Sequence, residues 1–394
     1  MPPRVFYTPL VVGLLATGCG VESHRLSFVA EREAATAGQR DSGADLFDAG
    51  ADEGDSSAPE ECPDAGRLPA TLACTGLFAD VVKKKLAPGV MPFTPSSPLW
   101  SDGAEKSRWI YLPPGEKIDT SEPGTWKFPV GTKAWKEFRV DGRRVETRIM
   151  HKVRDRFWWR GTYAWNEDET EATFHFGGED IPIEGGSYYL PDRGECDDCH
   201  EGQFDRLLGF EAVSLGLPGA KGMTLAQLAE DGWLSDVPDR VELSLGDDGT
   251  GMTQALALLH INCGVSCHND GPNATANLTG LNLKLDPSLL DGQAPNEDWP
   301  VVRTALGIPA KGAQWGRVIR IAPGAPADSL VVQLMSNRTD AAAQMPPIAS
   351  RVVDEAGLSL VKKWISALGE TEHAVDAAVS SGDAGTDADV AVVR

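Results

Sequence analysis

The sequence predicts an α+β protein: a Trp-rich antiparallel β domain at residues 67–250, followed by an all-α domain at residues 251–369. Three observations predict this. Seven of the 11 tryptophans fall between Trp100 and Trp165, a concentration that suits a pleated, half-buried surface. Through the same stretch apolar and polar residues alternate, and Gly- and Pro-bearing breaks such as "EPGTW" and "FPVGT" separate the runs. From residue 251 onward the apolar spacing changes to three and four, the helical repeat.

Taken in order, "RVETRIMHKV" puts Val145, Thr147, Ile149, His151 and Val153 on one strand face. "RFWWRGTYAWN" sets Phe157, Trp159, Tyr163 and Trp165 on a shared side, and "ATFHF" sets Phe174 and Phe176 opposite His175. These runs predict an antiparallel sheet with an aromatic face, whose tryptophans pack a core or shield a cofactor. "FDRLLGFEAVSLGL" and "MTLAQLAEDGWL" then carry helical spacing. A further helix is expected in "TGMTQALALLHINCGVSCH", where Leu256, Leu259 or His260, and Cys263 share a face. The closing helix is expected over residues 352–368. Val353, Leu360, Val361, Trp364, Ile365 and Leu368 make its apolar stripe, Asp354 and Glu355 occupy its first turn, and Gly369 is a natural stop.

The two ends differ from this body. Residues 1–18 read as a signal peptide, with Arg4 ahead of the short apolar run "VVGLLATG". The run leads into "ATGC", which resembles the lipobox of bacterial lipoproteins. That resemblance implies acylation of Cys19 and an anchor on the membrane surface without a spanning helix. Gly20 follows, not an aspartate, which by the same resemblance implies the outer membrane, facing the periplasm. Residues 19–66 read as the lipidated cysteine and an acidic tether, with 12 acidic and 3 basic side chains over 20–66. Residues 370–394 read as an acidic tail, with 6 acidic and 1 basic. Both segments bury too little apolar area to offset their ordering entropy and are expected to be disordered. They carry most of the chain's net charge of −22, and no basic patch offsets it, which argues against nucleic acid as a partner.

Of the 7 cysteines, Cys19 is the lipid site, and Cys62 and Cys74 suit a disulfide in an oxidising compartment. The other four form two close pairs, each followed at once by histidine. Cys196-Asp197-Asp198-Cys199-His200 is the Cys-x-x-Cys-His pattern of covalent c-type haem attachment. In that chemistry two thiols form thioethers to the vinyl groups of one porphyrin, and the adjacent imidazole ligates the iron. A zinc site needs two further ligands at fixed spacing, and thioredoxin-like chemistry needs a free pair opening a helix after a strand. "HINCGVSCHND" holds the second pair, Cys263 and Cys267 with His268, with three residues between the cysteines instead of two. The extra residue is expected to bulge out between them. Downstream, "MPP" at Met345-Pro346-Pro347 offers a thioether, the soft ligand that completes His/Met coordination. A sixth ligand for the first iron is not evident. His151, His175, Met223 and His260 are the candidates, each with a structural role open to it, and a five-coordinate iron is the alternative.

In this order, helix, paired cysteines, methionine loop and closing helix make residues 251–369 resemble a cytochrome c domain. The stretches "TPSSPLWSDGAEKSRWIYLP", "WKFPVGTKAWKEF", "ETRIM", "YAWNEDETEA", "YYLPDRGECDDCH" and "NCGVSCHN" through "MPPI" together resemble a family of bacterial di-haem c-type cytochromes. The resemblance spans residues 90–200 and 255–368. It implies two covalent haems (heme c), with Cys196, Cys199, His200, Cys263, Cys267, His268 and Met345 as the binding residues. It also implies electron transfer between redox partner proteins in the cell envelope. Two other functions stay open: a haem enzyme such as a di-haem peroxidase, and a binding module built on the Trp-rich sheet.

Overall fold

The structure is a computed structural model. It describes Cys62 and residues 66–381 apart from positions 123, 185, 247, 248, 294, 296 and 349, and only the backbone of 370–381. The signal peptide, Cys19, most of the tether and the tail beyond Ser381 lie outside the described residues.

Cys62 and Cys74 are joined by a disulfide, with their Cα atoms 5.3 Å apart. A small hairpin of β1 (Phe78–Asp80) and β2 (Lys85–Leu86) follows. The main sheet has seven antiparallel strands. In chain order these are β3 (Met91–Thr94), β4 (Glu105–Tyr111), β5 (Lys133–Val140), β6 (Arg143–Arg154), β7 (Phe157–Trp165) and β8 (Ala172–His175). These six lie side by side in that order, β11 (Lys221–Gly222) adds the seventh outside β3, and β9 (Glu179–Ile183) and β10 (Gly186–Leu190) form a separate hairpin. Strands β5 and β6 are joined by Asp141-Gly142, both at positive φ (50° and 79°). This is the two-residue turn whose twist matches the strands it connects.

The sheet is covered on both faces. On one face Trp135, Ile149, Tyr163 and Trp165 pack with Leu72, Leu77 and Phe78 of the preceding segment. On the other, Ile110, Ala134, Met150 and Trp158 join a long core with Phe210, Leu215 and Met223. Trp135, Trp158 and Trp165 are thus buried core residues. The alternation of the sequence is real, but two buried faces leave no exposed tryptophan platform on this sheet.

That second face changes character along the strands. Register places Arg108 of β4 opposite Lys136 of β5, and Lys136 opposite Arg148 of β6. Side chains directly opposite one another share a face, so a row of cations crosses three neighbouring strands beyond the apolar patch. Further along the same strands, Lys152 and Asp205 form a buried pair with Nζ 2.5 Å from Oδ2. Asp205 also accepts from the Phe128 N–H (2.7 Å) and the Trp158 indole (3.0 Å).

Helices follow the sheet: α1 (Arg193–His200), α2 (Ala212–Gly216), α3 (Leu225–Glu230), α4 (Met252–Leu259), α5 (Pro300–Ala305), α6 (Leu330–Ser336) and α7 (Glu355–Ser381). The expected all-α, cytochrome c-like second domain is not formed. Among the described residues the fold is dominated by the β-sheet, and the helices of 251–369 are short except the last. The apolar residues of 251–369, such as Leu256, Leu259, Val361 and Trp364, share one core with the sheet residues Ile110 and Trp158. The physical reason is the run of Gly and Pro between Gly264 and Pro347. These residues interrupt helix growth before a cooperative length of about 12–15 residues is reached.

The ends of that segment are helical, as their spacing suggests. Helix α4 packs against α7. Gly369 is not a stop, because α7 continues to Ser381. It is instead a point of close approach: a Cβ there would lie 2.6 Å from the Gly324 Cα. The expected acidic tail therefore begins as helix.

Candidate functional site

Helix α1 carries the first Cys-His motif. It is built by a capping box: Asp192 accepts from the Glu195 N–H, and Glu195 reaches back to the Asp192 N–H (both 2.9 Å). Tyr189 donates to Glu195 (2.8 Å) and braces it. Cys196 and Cys199 are then three residues apart on one helix, a same-face spacing. Both are unpaired thiols. Burial pushes the Cys196 thiol up, and burial with the neighbouring Cys267 thiol pushes Cys199 up to about 12. Reactive dithiols carry the reverse shift, towards a stabilised thiolate.

His200 closes the motif. Its Nδ1 lies 2.6 Å from the Arg206 carbonyl oxygen. A carbonyl only accepts, so Nδ1 carries the hydrogen and Nε2 keeps its lone pair. This arrangement is how a metal-binding imidazole is usually oriented. Burial, reinforced by Lys136, Arg148 and Arg160 and only partly offset by the Arg206 carbonyl, brings His200 down to about 4. Asp205, next to Arg206, fixes this loop to the sheet through Lys152 and Trp158. Sequence pattern alone does not reveal Asp205; its sole local signal is an acidic residue inside "FDRLLGF".

The second motif ends helix α4, which runs straight into one π-helical turn, His260–Gly264. The His268 N–H donates to the Cys263 carbonyl five residues back (2.8 Å), and the Cys267 N–H to the same carbonyl (3.2 Å). Such π turns absorb an inserted residue without breaking the chain's course. Cys263 and Cys267 are four apart, the other same-face spacing. Both are unpaired, and burial pushes both thiols up, Cys263 to about 12. The extra residue does not loop outward: Gly264, Val265 and Ser266 are all buried. His268 is brought down to about 4 by burial and by Arg320, and its buried Nδ1 has no hydrogen-bond partner.

The two motifs abut. A Cβ on Gly202, two residues past His200, would lie 1.6 Å from the Ser266 carbonyl oxygen between Cys263 and Cys267. Only glycine permits that approach. Asp198 and Cys199 both act electrostatically with Cys267. Met345 lies half-buried and lines one narrow cavity together with Cys263, Met335 and Trp100. His268 is not among the residues lining it.

The sixth-ligand candidates are placed elsewhere. His151 lies on the opposite sheet face, edge-on to Trp159. His175 bonds Glu179 (2.7 Å). Met223 is buried in the core. His260 uses both nitrogens: Nδ1 accepts from the Leu285 N–H (2.9 Å), so Nε2 carries the hydrogen and donates to Glu211 (3.2 Å).

Each motif therefore presents two same-face thiols and a histidine directly after the second, with the His200 lone pair held ready. Among the described residues, no three His, Cys, Asp or Glu side chains converge on a point that could hold a metal ion, and no helix is long and apolar enough to cross a membrane. No protein-family model, no curated protein and no solved structure matches the chain.

Proposed function

We propose that the protein is a di-haem c-type cytochrome of the cell envelope, passing electrons between redox partner proteins. The observation that carries this reading is the direct packing of the two Cys-His motifs, Gly202 against Ser266, with four unpaired half-buried thiols and two desolvated histidines. Cys196 and Cys199 would attach one haem with His200 as ligand, and Cys263 and Cys267 the other with His268, Met345 being the candidate distal ligand of the second. Each thiol would add across a vinyl double bond of the bound group, its sulfur taking one carbon and its hydrogen the other, with nothing released. A haem iron bound in this way cycles between ferric and ferrous states. The chain's own part is to orient His200 through Arg206, to exclude water around both imidazoles, and to keep the centres adjacent.

The Cys62–Cys74 disulfide supports an oxidising, exported location. With it goes the reading of a lipoprotein anchored at Cys19 in the outer membrane and facing the periplasm, and membership of the di-haem family that the sequence resembles.

Full-length protein expressed with the haem-attachment machinery tests this by its denatured mass. The expected gain is two haems, one lost in Cys196→Ala/Cys199→Ala and the other in Cys263→Ala/Cys267→Ala. The bare polypeptide mass in the wild type overturns the reading.

One observation favours a second reading, a haem enzyme of the peroxidase kind: His151, His175 and His260 have partners of their own, and Met223 is packed in the core. An open first iron would then be the catalytic one. A five-coordinate spectrum supports this second reading, and a six-coordinate one with a protein ligand supports transfer alone.

A further inference from the structure

The sheet face beneath the first motif holds more positive charge than it neutralises. Arg108, Lys136 and Arg148 stand directly opposite one another on three adjacent strands, and Lys106 lies two residues along β4 from Arg108 on the same face. Like charges in opposed positions repel. Arg148 is paired with Glu146, and Arg160, on the next strand, with Asp197. Among the described residues no ion pair reaches the remaining cations. Arg108 is 8 % exposed, and among the described residues no hydrogen bond or ion pair reaches its guanidinium. The Lys136 ammonium lies over the face of the Phe138 ring, 5.2 Å from its centroid. Lys106 donates to the Leu99 carbonyl (2.7 Å). The acids nearest Lys106 are committed to backbone: Asp102 accepts from Val352 and Asp354 from Gly357.

Burying unpaired cations is costly. Burial brings Arg108 down to about 10 and, with Arg108 and Arg148 and against Asp354 and Asp102, Lys106 down to about 7. Lys136 is shifted well below its usual value, by burial first and then by Arg108, Arg148 and Lys106, and the Cys199 thiol opposes the shift. Lys136 therefore borders the first motif, and it acts electrostatically on His200 as well. A face of this kind is incomplete without an anion. A guanidinium fork suits one carboxylate and an ammonium a second.

We propose that Arg108 and Lys136, with Lys106 at their edge, form a binding site for a pair of carboxylates, and that the pair is the two acid side arms of the haem attached at Cys196 and Cys199. The proposal rests on the haem reading of that motif. The charged half of the sheet then neutralises the haem's acids inside the protein and, by keeping positive charge near the iron, raises its reduction potential.

The experiment compares full-length wild type with Arg108→Gln/Lys136→Gln, both expressed with the attachment machinery. The readouts are denatured mass and the potential of the first haem as a function of pH. The expected result is an attached haem whose potential falls by a tenfold change in the redox equilibrium or more, about 59 mV for one electron. The potential also becomes pH-dependent near neutrality as the freed acids titrate. Lys83→Gln, at the exposed surface, leaves both unchanged. If the double variant is not recovered, Lys136→Met alone is read the same way, with a smaller shift expected. An attached haem with unchanged potential and pH profile overturns the proposal while leaving the cytochrome reading intact. If the wild type carries no haem on Cys196 and Cys199, that reading fails first, and thermal melting with added succinate decides the rest. Protection by succinate that the double variant loses keeps the dicarboxylate site and overturns only the haem as its source. No protection overturns the site altogether.

Discussion

The first Cys-His motif rides on a capped helix against the charged half of the sheet, whereas the second ends an uncapped helix sunk in apolar core. Each is fastened by a buried carboxylate, and the partners differ. Asp205, behind the first motif, is held by Lys152 and by the N–H groups of Phe128 and Trp158. Glu211, behind the second, is held by His260 and by the N–H groups of Val213 and Ser214. The difference extends to the histidines: the His200 Nδ1 has a carbonyl acceptor, and the buried His268 Nδ1 has none. Adjacent motifs with unlike supports are individually adjustable, a property that the proposed transfer between two haems would use.

The largest effect is expected from Asp205→Ala. It strands Lys152, 3 % exposed, and removes a bond from Trp158 and one from Phe128. Breaking one partner of a buried pair costs about 3–5 kcal/mol, read as a lowered urea midpoint. The consequence for the site is one-sided: the loop that presents the Arg206 carbonyl loosens, so His200 loses its fixed tautomer while His268 keeps its surroundings. Equal loss at both motifs would show that their supports are not separate.

Acid sharpens the same contrast from the other side. Burial alone would push the Glu211 carboxyl up; the contact with His260 and the Val213 and Ser214 N–H groups outweigh it and hold it well below 4.5. The folded state therefore binds this proton less readily than the unfolded chain. Stability is present above pH 4.5 and is lost as pH falls through the range below it. A carboxylate hydrogen-bonded in this way contributes about 1.5–3 kcal/mol. Glu211→Gln keeps the shape and removes the titration, so its stability profile should be flatter below pH 4.5 than that of the wild type. Parallel profiles would rule Glu211 out as the acid-labile support.

How far the sequence reveals all this depends on whether a feature is local. Strands β6 to β8 follow from alternation in "RVETRIMHKV", "RFWWRGTYAWN" and "ATFHF", and α4 and the start of α7 from three-and-four spacing. The failure lies between them: helical spacing at the two ends of 251–369 does not extend across a Gly- and Pro-rich middle, whose apolar residues join the sheet's core. Gly369 misleads because close approach and helix stop both call for glycine. Within the site, Cys196, Cys199 and His200 are recognisable from spacing alone. The contact of Gly202 with Ser266 is not, since it joins segments 64 residues apart and leaves no trace but a glycine. The cations are half legible: "KSRWI" alternates Lys106, Arg108 and Ile110 on one face, but only the register shows Lys136 opposite Arg108.

Gly202 tests the adjacency itself. Alanine there meets the Ser266 carbonyl, which belongs to backbone and cannot rotate away. Overpacking of this kind costs about 1–3 kcal/mol, and here it also drives the motifs apart. Gly202→Ala should lower the urea midpoint by that amount and, in haem-loaded protein, weaken the coupling between the two redox transitions. Unchanged stability would mean that the segments are not in contact.

The smallest expected effect lies at the start of helix α1. Asp192 caps α1 through the Glu195 N–H, while α4 begins at Gly251 without a side-chain cap. Removing an N-cap costs about 1 kcal/mol. In Asp192→Ala that cost falls on an eight-residue helix whose last residue is His200, so fraying at its start reaches Cys196 within one turn. Hydrogen exchange should accelerate across residues 193–200 and stay unchanged across 252–268, because Gly251 offers no side-chain cap to lose. Acceleration at both motifs would mean that the first helix holds the second in place through Gly202, and the two supports would then have to be treated as one.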